Sequence, residues 1–201
     1  MNRDYSKRLF IMSFLLTLTL SVWGQISHGE FCRKSMRINN TGMVVLGTWA
    51  VANMATGAWG WSKYEDNRKY FHQMNLFWNT VNLSIAGIAL YSNSNYDCLA
   101  AGAEAVLNKH LQTEKILLVN AALDIGYMGT GFLLKHLSGK SEKRADLLKG
   151  YGNSLILQGS FLLVFDLALY GIMRNARLDL PVEMSVINFN DLMMIGLSAR
   201  F

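Results

Sequence analysis

Three features predict an all-α fold, a four-helix transmembrane bundle preceded by a signal segment. Four long stretches have almost no charge, basic residues gather in the short segments between them, and the chain opens with a basic start and an apolar run. An apolar content of 51% with one proline and 17 glycines excludes a disordered or collagen-like chain. The net charge of +5 does not imply nucleic acid, because the basic residues are spaced as membrane loops rather than as a continuous groove.

Residues 1–24 form the signal segment: Arg3, Lys7 and Arg8 precede an apolar core from Leu9 to Trp23, and Val22 and Gly24 suit cleavage before Gln25. An uncleaved fifth helix is the competing reading, since Trp23 beside the site is not ideal. Both place Gln25 outside the cytoplasm. An external segment, 25–41, leads into a membrane domain over 42–173 with spans at about 42–61, 71–91, 115–136 and 150–173. Each is close to the roughly 20 residues that cross a hydrocarbon core. A soluble bundle would need a charged outer face on every helix, and Thr41 to Trp61 contains no charge.

Segment 62–70 carries Lys63, Arg68 and Lys69, and segment 135–149 carries Lys135, Lys140, Lys143, Arg144 and Lys149, whereas 92–114 has Lys109 as its one basic residue. Positive loops stay cytoplasmic, so both chain ends fall outside after signal cleavage. Arg33, Lys34 and Arg37 oppose this, but an upstream signal dominates them. Cys32 and Cys98 then share the oxidising side, which predicts a disulfide between them against the alternative of two unlinked thiols.

At 100° per residue, His72, Asn75, Asn79, Asn82 and Ala86 form an amide stripe on the second helix. The first presents Trp49, Asn53, Thr56 and Gly60, and the fourth Tyr151, Ser154, Gln158 and, at the arc's edge, Asp166. On the third, Asn120, Asp124, Tyr127 and Gly131 share an arc opposite Ala122, Gly126, Gly129 and Leu133, the side expected to allow close packing. At 1.5 Å per residue, Asn53, Asn82, Asp124 and Asp166 lie roughly 16, 13, 13 and 11 Å from the outer helix ends, which predicts one central polar cluster. Its candidate ligand-binding residues are Asn53, Asn75, Asn79, Asn82, Asn120, Asp124, Tyr127, Gln158 and Asp166. They serve either as interhelical glue or as a binding or proton-accepting site.

No nucleophile, metal motif or phosphate loop accompanies the acids, so an enzyme is not favoured and no cofactor is expected. His72 and His136 could ligate haem from two sides, but interfacial histidines beside basic loops are commoner. His28 and His110 have no ligand-like spacing, and zinc is not supported. From Asp97 to Glu114 an apolar side invites either an ordinary amphipathic connector, the preferred reading, or an outward extension of the third helix. The external tail, 174–201, ends in strand-like alternation up to Phe201, as in outer-membrane barrels; one strand cannot close a barrel, so it is expected to pair with a protein partner.

Met54-Ala55-Thr56-Gly57 recurs as Met128-Gly129-Thr130-Gly131, and Ala89-Leu90-Tyr91 as Ala168-Leu169-Tyr170. A tandem duplication of a helical hairpin fits, and so does chance. The strings Tyr70-Phe71-His72-Gln73-Met74-Asn75, Trp78-Asn79 with Asn82, Asn120-Ala121-Ala122-Leu123-Asp124 and Gln158-Gly159-Ser160-Phe161 through Asp166 resemble an uncharacterised bacterial family of small multi-pass membrane proteins, a domain of unknown function. The resemblance spans roughly 37–173. It implies the envelope of a Gram-negative cell, and hence the inner membrane, but transfers no site residue. The expected function is a structural or accessory membrane component surrounded by lipid, with no nucleic-acid partner. The alternative is a protein that binds or transports a small ligand, lipid or ion through the polar cluster, and a membrane enzyme comes third.

Overall fold

A computed structural model of the chain describes residues 27–178. They form four helices: α1 (Ser27–Lys63), α2 (Asn67–Ser94), α3 (Ala103–Ser138) and α4 (Ala145–Leu178). No strand occurs among the described residues. The signal segment and the strand-like end of the tail lie outside them.

The helices hold 37, 28, 36 and 34 residues, which makes them about 42–56 Å long and longer than the apolar runs inside them. α1 is already helical through the segment that precedes its apolar run, and α4 continues past Arg174 to Leu178. Residues 103–114 extend α3 outward rather than forming a separate connector, which here is confined to residues 95–102. Charged residues end a hydropathy pattern, yet lysine, arginine and glutamate are good helix formers and need not end a helix. α3 and α4 are each long and apolar enough to cross a membrane.

Local chemistry places the ends. Asp66 caps α2 by accepting the Arg68 amide at 2.9 Å. The Arg68 side chain also bonds to Asp66 and holds its carboxyl below the ordinary value. Glu104 and Asp146 open α3 and α4, and Lys135, His136 and Arg177 lie in the closing turns, each complementing the helix dipole.

α1 packs on α2 and α3 on α4, and the two hairpins join mainly through α2 and α4. α2 and α3 scarcely touch. Close approach within each hairpin depends on glycine. A Cβ at Gly57 would lie 2.9 Å from the His72 carbonyl oxygen, and one at Gly131 would lie 2.7 Å from that of Gly152. Gly57 and Gly131 are the last residues of the two recurring words, so those words hold equivalent positions in the two hairpins.

α2 turns its polar side inward. Its buried residues are Asn75, Asn79, Asn82, Ala86 and Asn93, while Phe77, Val81, Ile85 and Ile88 are exposed. Apolar packing comes instead from Met43 and Leu46 of α1, Leu117 of α3, and Leu162, Leu169 and Met173 of α4. The close-packing side expected on α3 is corrected. Ala122, Gly126, Gly129 and Leu133 are exposed, and α4 contacts the opposite side through Ala121, Asp124 and Gly131. Small residues permit close approach but do not compel it, and burying Asp124 turns the other face inward.

Cys32 and Cys98 form the predicted disulfide, with Cα atoms 5.7 Å apart, and no free cysteine remains. The bond pins the extension of α1 to the α2–α3 connector beside Phe31 and Val106. Because it closes a long loop, reduction or Cys32→Ser with Cys98→Ser should lower the unfolding free energy by about 2–4 kcal/mol. Denaturation with and without reductant measures this, and an unchanged midpoint would show that the bond only decorates a stable end.

Candidate functional site

The predicted polar cluster resolves into two adjoining sites that share Asn82. The first is an amide network among α1, α2 and α4. Gln158 lies at its centre with no exposure. Its Oε1 accepts from Trp49 Nε1 at 3.1 Å, and its Nε2 donates to Asn75 Oδ1 at 2.8 Å and more weakly to Asn53 Oδ1 at 3.4 Å. Ser154 Oγ also donates to Asn75 Oδ1 at 2.8 Å, and Asn75 Nδ2 donates to Asn53 Oδ1 at 3.3 Å. Asn79 Nδ2 donates to the Asn75 carbonyl at 2.8 Å, and Asn79 Oδ1 accepts from Asn82 Nδ2 at 3.4 Å. Stacking of Trp49 on Phe161, with centroids 3.8 Å apart, fixes the indole that serves Gln158.

The second site is a cavity of about 290 Å³ beneath the gap between α2 and α3. Asn82 and Trp78 of α2, Asn120, Asp124 and Tyr127 of α3, and Asp166 of α4 supply its polar and aromatic lining. Leu46, Leu162 and Phe165 form apolar walls, and the exposed Val81, Ile85 and Leu123 stand at its opening. Asp124 and Asp166 are 2% and 5% exposed, and both line the cavity. Asp124 Oδ2 remains buried with no partner, as does Trp78 Nε1, although the Trp78 ring is packed edge-on against Tyr127 at 4.6 Å. Both atoms belong to residues that line the cavity.

Asn53, Asn75, Asn79 and Gln158 thus belong to the network, Asn120, Asp124, Tyr127 and Asp166 to the cavity, and Asn82 to both. The Asp pair stands beside Asn82, as expected from helix depth, but Asn53 is bound into the network instead of facing the acids. His136 is exposed, and His72 is stacked on Tyr64. Among the described residues no three His, Cys, Asp or Glu side chains converge as a metal site.

Sequence reasoning missed a third polar group at the disulfide end. His110, 1% exposed, accepts at Nδ1 from Ser35 Oγ at 2.7 Å. Its Nε2 faces two acceptors, Glu114 Oε1 and the Met173 carbonyl, both at 3.1 Å, and so carries the ring proton. Arg177 grips the same carboxylate in bidentate fashion, Nε to Oε1 at 2.9 Å and Nη2 to Oε2 at 3.1 Å. Burial pushes His110 below the ordinary imidazole value, although Glu114 pulls the other way. The group ties α1, α3 and α4 together. Its sequence trace was the i, i+4 pair His110 and Glu114.

A family model described as "Family of unknown function (DUF6992)" matches residues 45–167, well over half of the chain. It covers both halves of the amide network and the whole acid-lined cavity, but neither Cys32 nor Ser35 nor Arg177. No curated protein and no solved structure matches the chain.

Proposed function

We propose that this chain, which belongs to the DUF6992 family, is a four-span membrane protein that binds a small polar ligand or ion in the acid-lined cavity, with the amide network as its frame. The observation that carries this reading is the unpartnered Oδ2 of Asp124, a residue that lines the cavity, set beside a network in which Gln158 and Asn75 are each bonded through both the oxygen and the nitrogen of the amide. Glue explains a closed network, but not an open, ligand-sized space lined by two buried carboxyls.

Insertion of all four helices is supported by the apolar exterior. Val44, Val45 and Val51 on α1 and Phe77, Val81, Ile85 and Ile88 on α2 are exposed while their amides are buried, a distribution suited to lipid on the outside. Basic loops at the other end from the disulfide support a cytoplasmic placement for that end, and the disulfide suits the periplasmic side of a bacterial inner membrane. A purely structural or accessory role, with a partner engaged by the C-terminal tail, is the second reading, and the closed amide network favours it.

Native mass spectrometry of gently extracted protein tests the choice. Wild type should retain a non-lipid small molecule or ion that Asp124→Asn and Asp166→Asn lose while keeping a thermal midpoint within a few degrees. Folded variants identical to wild type in bound mass and in envelope phenotype would leave the structural role standing alone.

A further inference from the structure

We infer that the cavity is selective for an organic ammonium ion bearing at least one N–H, held by Asp124 and Asp166 and walled by Trp78, Tyr127 and Phe165. This deepens the binding reading above and rests on it.

The first step is charge. Two buried carboxyls line the cavity, and no lysine or arginine occurs within 42–61, 71–91, 116–134 or 150–173 to balance a negative charge there. A bound cation would supply the positive charge that a carboxylate at low dielectric otherwise lacks. The second is hydrogen bonding. Asp124 Oδ2 lacks a donor, which an N–H provides and a quaternary nitrogen does not. The third is the wall. Aromatic faces attract alkylammonium groups, and Trp78, Tyr127 and Phe165 all line the space. A bare metal ion is a poor fit, because only two carboxyls line the space and no third His, Cys, Asp or Glu side chain joins them among the described residues. About 290 Å³ also far exceeds a single ion and suits a small amphiphile. Trp78 Nε1, an unused donor, would take an oxygen carried by the same ligand. The opening beside Val81, Ile85 and Leu123 faces the apolar exterior, where an amphiphilic amine partitions.

Binding of phenethylammonium, 2-phenylethanol, trimethyl(phenethyl)ammonium and sodium to the full chain in nanodiscs, followed by calorimetry at neutral pH, tests this. Phenethylammonium should bind at least tenfold more tightly than the isosteric alcohol and than the quaternary ion. Asp166→Asn should abolish that preference without removing the alcohol's weak affinity. Because the wild-type ligand series needs no variant, the inference remains testable even if Asp166→Asn does not fold. Equal binding of amine and alcohol, or preference for sodium, would overturn ammonium selectivity while leaving the cavity a binding site. Absence of binding by all four probes would also overturn it, and retention of another molecule in native mass spectra would then show that the broader binding reading survives. An empty cavity in those spectra would end both.

Discussion

Arg177→Met should cost about 3 kcal/mol of stability. Glu114 is only 7% exposed and receives both guanidinium bonds, so the substitution strands a buried carboxylate with His110 as its remaining partner. Breaking a buried pair from one side typically costs about 3–5 kcal/mol, and the partial exposure of Arg177 argues for the lower end. Adding Glu114→Gln should recover most of the loss, because the uncompensated charge is gone. Denaturant titrations of the two single variants and the double variant measure the coupling. Additive losses would show that Arg177 acts through packing of its aliphatic stem instead.

Gln158→Leu should cost about 2–4 kcal/mol. Leucine fills a similar space but leaves Trp49 Nε1 without an acceptor and removes the 2.8 Å bond to Asn75, and an orphaned buried group costs about 1–3 kcal/mol. Adding Trp49→Phe should return about 1 kcal/mol, since removing both partners is cheaper than stranding one. The same denaturation assay checks both variants. A loss under about 0.5 kcal/mol for Gln158→Leu would mean that the amide network does not hold the hairpins together.

The second helix was the most legible part of the sequence. Asn75, Asn79, Asn82 and Ala86 recur at helical spacing, and all four are buried on one side. What periodicity cannot supply is the rotation of one helix against another. Helix rise puts Asn53 and Asp124 at similar expected depth, yet one joins an amide network and the other an acid-lined cavity, because α3 packs on α4 and leaves a gap toward α2. The same limit misplaced the packing side of α3. The cluster around His110 escaped notice because its members come from three helices, with Ser35 and Arg177 far from it in sequence, and because no short spacing encodes such a meeting.

The two bonded groups divide the work unequally among the helices. The amide network fastens α1, α2 and α4, the His110 group fastens α1, α3 and α4, and neither joins α2 to α3. The cavity lies where that join is missing. Whatever occupies it becomes a keystone, completing an interface the polypeptide leaves unfinished. Its binding free energy is then also cohesion between hairpins, so occupancy and rigidity of the bundle rise and fall together.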